Sequence, residues 1–229
     1  MPGPALSPDD ASWLKRRMPA RPVRVLLTGF GPFPGVPVNP TGAIVAAAAR
    51  RLARTRTPLR VATETLPTEW AMLARLPDLL CFHRPDVVVM TGVAVRARSA
   101  RLERTAHARA DAALSDAAGA KLIVKSGIYA HRAARRTEVD ANRVKTALNR
   151  AKLRISVSDD PGRYLCNAAY LTALDWAARR APRPTVVFVH VPPPRLSTGI
   201  RGHDLADLVA QVAETLARSP HRRGAVLPI

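Results

Sequence analysis

Pro85-Asp86-Val87-Val88-Val89-Met90 places four apolar residues in unbroken succession behind a Pro-Asp pair. A strand with one face in water would alternate polar and apolar residues. A continuous β-branched run instead marks a strand buried on both faces. Strands of that kind belong to sheets covered by helices on either side. Val23-Arg24-Val25-Leu26-Leu27-Thr28, ended by Gly29, and Val186-Val187-Phe188-Val189 have the same character. Between the strands lie stretches of helical spacing: Thr41 to about Ala53, opened by Asn39 as cap and Pro40 at the first position, and Thr68 to about His83, interrupted at Pro77. This alternation predicts an α/β fold, a single-domain three-layer α/β/α sandwich around an open, mostly parallel twisted sheet. Ligands in such sheets gather at the carboxyl ends of the strands, so the loop Gly29 to Gly35 and the segment Thr91-Gly92-Val93 become candidate site walls.

Further out, Leu59 to Leu66 alternates as a strand, and Lys121 to Val124 and Leu153 to Val157 are shorter strand candidates. Helices are expected from Val139 to about Ala151 and from Asp204 to about Ala217. Arg96 to Asp111 is basic and irregular, with Leu102-Glu103-Arg104-Thr105-Ala106 as a possible short strand; Arg96 to Arg109 is expected to form a solvated rim. The organisation expected is a loosely attached extension over residues 1–21, one folded domain over 22–217 and a basic tail over 218–229.

The 229 residues, 47% of them hydrophobic, suffice for one sizeable core. A formal net charge of +19 raises the question of nucleic acid, but of 36 basic residues only five are Lys, and the Arg residues are spread along most of the chain. Aromatics at 4% are thin for base stacking, and no helix-turn-helix, zinc-ligand or RNP-type pattern is present. Specific nucleic-acid recognition is therefore not expected, although weak binding to polyanions is. No run approaches the roughly 18 apolar residues of a membrane span. Asp9 and Asp10 stand where a signal sequence would be apolar. A soluble, cytoplasmic protein is expected, with Cys81 and Cys166 reduced.

The glycine loop follows a strand and precedes a helix, which invites a dinucleotide reading. Pro32 and Pro34 remove N–H groups that would face a pyrophosphate, the helix begins late, and no acidic residue occurs until Glu64, so that reading fails. Phe30 and Phe33 either grip a small flat ligand or anchor the loop on the core. Cys166, in Gly162-Arg163-Tyr164-Leu165-Cys166-Asn167, lies where a loop becomes a helix, and the N–H groups of that end favour a thiolate. Taken alone, a single cysteine is better explained as a small buried residue than as a nucleophile, and Cys81, inside an apolar helical run, is assigned to the core. His190 ends a buried strand, and Cys with His is the minimum for thiol acyl transfer. A carboxylate orienting the imidazole would complete the set, but spacing does not choose among the 17 acids. The cysteines and histidines show no CxxC or HExxH pairing, so no metal site is expected, and His83, His107, His131, His203 and His221 are assigned to the surface or to helix caps.

Four short segments in order carry a family resemblance: Leu27-Thr28-Gly29-Phe30-Gly31-Pro32-Phe33 with Asn39-Pro40-Thr41, then Leu102 to Ala106, Gly162 to Asn167, and Val189-His190-Val191-Pro192. Over most of residues 23 to about 216 the chain resembles pyroglutamyl peptidase I, the C15 cysteine peptidases. The resemblance implies a cofactor-free cysteine exopeptidase that removes an N-terminal pyroglutamyl residue. Cys166 would be the nucleophile, His190 the general base and acid, and Glu103 the residue orienting His190. It further implies substrate contacts from Phe30, Phe33, Val93 and Asn39, a peptide substrate with a blocked N-terminus, and a homo-oligomer, dimer or tetramer. Val93-Ala94-Val95-Arg96 departs from the family's usual polar-or-Leu, Ala, Gly-Gly-Arg-like run, and His107-Ala108-Arg109 replaces an Asn-containing stretch. The alternative is a family member with an altered pocket that binds a ligand without turnover; an Arg-rich polyanion binder is a third.

Overall fold

The structure is a computed structural model and describes residues 21–111, 113–122, 133–194 and 201–218. In chain order the elements are β1 (Val23–Phe30), α1 (Thr41–Leu52), β2 (Leu59–Leu66), α2 (Met72–His83), β3 (Val87–Val93) and β4 (Ala100–Glu103). There follow β5 (Thr105–Ala106), β6 (Arg135–Arg136), α3 (Ala141–Arg150), β7 (Ile155–Ser158), α4 (Leu165–Ala178), β8 (Thr185–Val191) and α5 (Gly202–Ala217).

β3 is buried at all seven positions, as its unbroken apolar run requires, and lies inside a six-stranded sheet of order β2-β1-β3-β8-β4-β7. The first four strands are mutually parallel. β4 runs antiparallel to β8 and parallel to β7, so the sheet is mostly parallel. Period-2 geometry sends alternate side chains to opposite faces. Val87, Val89, Val187, Val189, Ala100 and Leu102 join one core cluster with α1, α3 and α5. Val88, Met90, Val186 and Phe188 join another with α2 and α4. These are the three expected layers. α4 lies deep on the second face, buried at nearly every position, because Leu165, Ala168, Ala169, Tyr170, Leu171 and Ala173 leave it apolar nearly all round.

Several elements differ from the sequence-based expectation. Strand β1 continues through Gly29 to Phe30. Asn39 does cap α1, its Oδ1 accepting from the Thr41 N–H at 3.1 Å. α2 begins at Met72 instead of Thr68, because Asp116 accepts the Trp70 N–H at 2.8 Å and tight i→i−3 bonds from Met72 and Leu73 form the lead-in. It then runs through Pro77, which sits inside the helix. Cys81 is exposed, not core: the buried stripe of α2 is Met72, Leu73, Leu76 and Leu80, and the next position turns to the helix edge. Its sulfur there accepts from Arg180 Nη2 at 2.9 Å.

The Leu102 to Ala106 candidate is two strands, β4 in the main sheet and β5 paired with β6. Ala100, Leu102, Glu103 and Ala106 are buried, so Arg96 to Arg109 contains a core strand and is not simply a solvated rim. His83 bonds Glu64 Oε1 at 2.7 Å, and His107 Nε2 lies 2.7 Å from the Asp159 carbonyl; both are half-buried. Lys121 forms an isolated bridge with Ser115, while Ile123, Val124, His131, His221 and residues 1–20 lie outside the described residues.

Asp86, just before β3, ties β1 to the sheet. It accepts from Arg21 at 2.6 and 2.9 Å, from the Arg24 N–H at 2.8 Å and from the Arg24 guanidinium. Burial alone would raise this carboxyl; the bonds from Arg21 and Arg24 outweigh it and hold the group at about 2, against an ordinary 3.8. A depressed carboxyl stabilises the fold above its unfolded value, and that contribution disappears as pH falls through the folded one. Asp86→Asn is therefore expected to cost about 1–2 kcal/mol in urea unfolding at pH 7, allowing for solvent screening of Arg21. The gap between variant and parent should close between about pH 4 and pH 2; a gap independent of pH would refute the assignment.

Candidate active site

The cysteine reaches its place through the turn before α4. Gly162 adopts φ +81°, a left-handed conformation, and Tyr164 is extended before the helix begins at Leu165. Cys166 thus occupies the first turn, where N–H groups lack helical acceptors. Two side chains on α4 fasten it to the β4–β5 segment. Asn167 Oδ1 accepts the His107 N–H at 2.7 Å, and its Nδ2 donates to the His107 and Arg109 carbonyls at 2.8 Å each. The Tyr170 hydroxyl donates to the Glu103 carbonyl at 2.9 Å. The helix carrying the thiol is therefore held in fixed relation to Glu103.

His190 projects from β8 onto the same face. In the antiparallel pair Glu103 stands opposite Phe188 and Arg101 opposite His190, so Glu103 and His190 are diagonal neighbours on one side of the sheet. His190 Nδ1 lies 2.8 Å from Glu103 Oε1, with the carboxylate fully buried and the imidazole nearly so. A carboxylate acceptor at Nδ1 takes the proton-bearing nitrogen and leaves Nε2 with its lone pair free. The imidazole also packs on the Phe188 ring, centroids 4.8 Å apart.

Gly92, paired with His190 across β3 and β8, makes room for the thiol. A Cβ at Gly92 would come within 2.7 Å of Cys166 Sγ and 2.9 Å of Phe188 Cζ, distances that no side chain tolerates. Cys166 Sγ therefore lies over the backbone beside His190. Burial, and after it the negative charge of Glu103, push the thiol up to about 12; the residue's own N–H acts in the opposite sense. Sequence reasoning expected the helix terminus to favour the thiolate. The structure reverses that for the resting enzyme, because desolvation outweighs the terminus.

Cys166 and His190 open into a cavity of about 170 Å³ whose walls include Phe30, Phe33, Val93 and Tyr164, with Asn39 and Thr68 among its polar residues. All four residues expected to contact substrate line it. Phe30, however, is buried against Phe188 and serves the core as well, and Asn39 already holds the Gly31 carbonyl and Thr41. Sequence reasoning missed Tyr164, whose ring packs between Phe33 and Trp70 at 6.0 and 5.4 Å. An aromatic two residues before the cysteine was the signal available. A larger cavity of about 330 Å³, beside Arg104, Arg136 and the start of α3, is lined by neither cysteine nor histidine. Among the described residues no group of three or more His, Cys, Asp or Glu is placed to hold a metal ion, and no helix is long and apolar enough to cross a membrane.

The sequence model of the family described as pyroglutamyl peptidase matches residues 23–203. The pyrrolidone-carboxylate peptidase of Thermococcus kodakarensis is 30% identical over 171 residues, 74% of this chain and 81% of that protein. Pyrrolidone-carboxylate peptidase 1 of Ralstonia nicotianae is 31% identical over 170 residues, 73% and 77% of the two chains. The crystal structure of pyroglutamyl peptidase I from Bacillus amyloliquefaciens superposes with a TM-score of 0.74 at 25% identity, covering 86% of this chain and 96% of that one. With the family model spanning most of the chain and the three-layer sheet superposing on a solved member, the chain belongs to the pyroglutamyl peptidase family.

Proposed function

We propose that the protein is a cysteine exopeptidase that removes an N-terminal pyroglutamyl residue from peptides. The observation that carries this reading is the buried His190 Nδ1–Glu103 Oε1 bond beside a thiol lodged over Gly92 at the end of an apolar cavity. The names of the relatives supply the substrate class. The reaction uses groups of this chain and water. Nε2 of His190 takes the Cys166 proton as sulfur attacks the pyroglutamyl carbonyl, so the thiol form favoured at rest is converted at the moment of attack. The tetrahedral oxyanion is met by unpaired N–H groups of the first turn of α4. The imidazolium, supported by Glu103, returns its proton to the departing amine as the C–N bond breaks. Water, deprotonated by His190, then cleaves the thioester and restores the thiol.

The cavity supports the specificity. Phe30, Phe33, Val93 and Tyr164 suit a flat, uncharged lactam, whereas a protonated amino terminus would lose its hydration there without an anionic partner. The test is fluorophore release from a pyroglutamyl amide under reducing conditions, compared with the glutamyl and prolyl amides that carry a free amine. Release from the pyroglutamyl amide, at least about 100-fold faster in kcat/KM than from either free amine, is expected. Equal rates overturn the specificity, and saturable binding without release overturns the turnover.

A further inference from the structure

Two buried polar atoms in the site have no hydrogen-bond partner, and they belong to neighbouring side chains. They are Glu103 Oε2 and Arg101 Nε. Arg101 is directly opposite His190 in the β4–β8 pair and two residues before Glu103, so all three project from the same face. Its Nε lies 3.5 Å from Glu103 Oε1, the oxygen that His190 Nδ1 holds at 2.8 Å. One carboxylate oxygen thus faces two cations, a guanidinium that is always charged and an imidazole that is charged only during part of the reaction. A fully buried carboxylate beside a neutral imidazole would have an uncompensated charge. The guanidinium, about one-third exposed, supplies the compensation while its far end remains in water.

We propose that Arg101 is a positioning residue of the catalytic apparatus, holding Glu103 jointly with His190 and biasing the imidazole toward its neutral, proton-accepting form. The inference rests on the peptidase reading for its consequence in turnover, not for its geometry. Both effects of Arg101 have the same sign. Its charge repels an imidazolium opposite it, and its contact with Glu103 weakens the attraction that would trap one. Titratable groups near the pair include Cys166 and Tyr170, both on α4, and Arg163, which lines the cavity with His190. Cys166 and Tyr170 are neutral at rest: burial raises each, and Glu103 raises each further. Arg101 is thus a permanent positive charge directly opposite His190 and in contact with Glu103, whereas Arg163 is a cavity-lining residue outside the β4–β8 pair.

The experiment compares Arg101→Gln and Arg101→Lys with the full-length parent. The first readout is the imidazole titration of His190 by NMR, assigned with a His190→Gln variant. The second is the acid limb of kcat/KM for a pyroglutamyl amide. Arg101→Gln is expected to raise both midpoints by about 0.5–1 pH unit, while Arg101→Lys keeps them within a few tenths of the parent. A structural role alone would lower activity or thermal stability with the midpoints in place, and an unshifted His190 titration in folded Arg101→Gln overturns the proposal. A shifted midpoint in both variants equally would also overturn it, because the charge would not then be the cause. If the parent releases no fluorophore, the peptidase reading fails, while the NMR titration still decides the role of Arg101.

Discussion

Cys166→Ala is expected to lower kcat/KM toward a pyroglutamyl amide by at least about 10⁴-fold, with thermal unfolding nearly unchanged. Cys166 is a partly buried residue that lines the cavity, so removing its sulfur enlarges a space that already exists and leaves no closed void in the core. The fold around it is held by other atoms: Asn167 to the residue 107–109 backbone, Tyr170 to the Glu103 carbonyl, and the apolar faces of α4. Cys166→Ser makes the sharper test. Oxygen is smaller than sulfur and its proton is far harder to remove, so even a correctly placed His190 would activate it poorly. A site that merely binds the lactam would keep its affinity in both variants and have no rate to lose. Full release by either variant would show that chemistry occurs elsewhere, Cys81 being the remaining thiol, exposed on α2 far along the sequence.

The sheet was legible because its interior strands are written in apolar residues. Val87 to Val93 and Thr185 to Val191 are buried at every position, and the apolar runs Val87-Val88-Val89-Met90 and Val186-Val187-Phe188-Val189 within them say so. β4 was not legible. Its Arg101 and Glu103 resemble surface residues, yet they alternate with the buried Ala100 and Leu102, and the strand lies between β8 and β7. Charged residues enter a sheet interior when they compensate one another and a functional partner, and spacing does not reveal that partner 87 positions away. The same limit hid Tyr164 and the exposure of Cys81, which depend on where one helix edge meets another. The sequence order of Glu103, Cys166 and His190 carried a family resemblance, but their convergence required β4 to run against β8. In that antiparallel register Glu103 stands opposite Phe188 and diagonal to His190.

Glu103→Gln is expected to reduce kcat/KM by about 10²- to 10⁴-fold, and its pH profile tells why. The amide matches the carboxylate in shape, so the cavity and the sheet register survive. What disappears is the negative charge beside the proton-bearing Nδ1 of His190. If the amide oxygen faces Nδ1 the tautomer is kept but the imidazolium formed during attack loses its support. If the NH₂ faces it, Nδ1 must accept, and the proton moves to Nε2, where the base is needed. Either outcome slows the proton transfer from Cys166. Removing the anion also makes imidazolium less favourable in the resting enzyme, so the acid limb of kcat/KM should move to lower pH, opposite to the shift expected for Arg101→Gln. A second consequence follows for the thiol. Glu103 is one of the two causes that raise Cys166, so its neutralisation should bring the thiol down and speed alkylation of Cys166 by iodoacetamide at pH 8 even as peptide cleavage slows. Faster alkylation with slower turnover separates a loss of proton management from a collapsed site, which would slow both. A variant with unchanged kcat/KM, or with an acid limb that rises, would remove Glu103 from the mechanism.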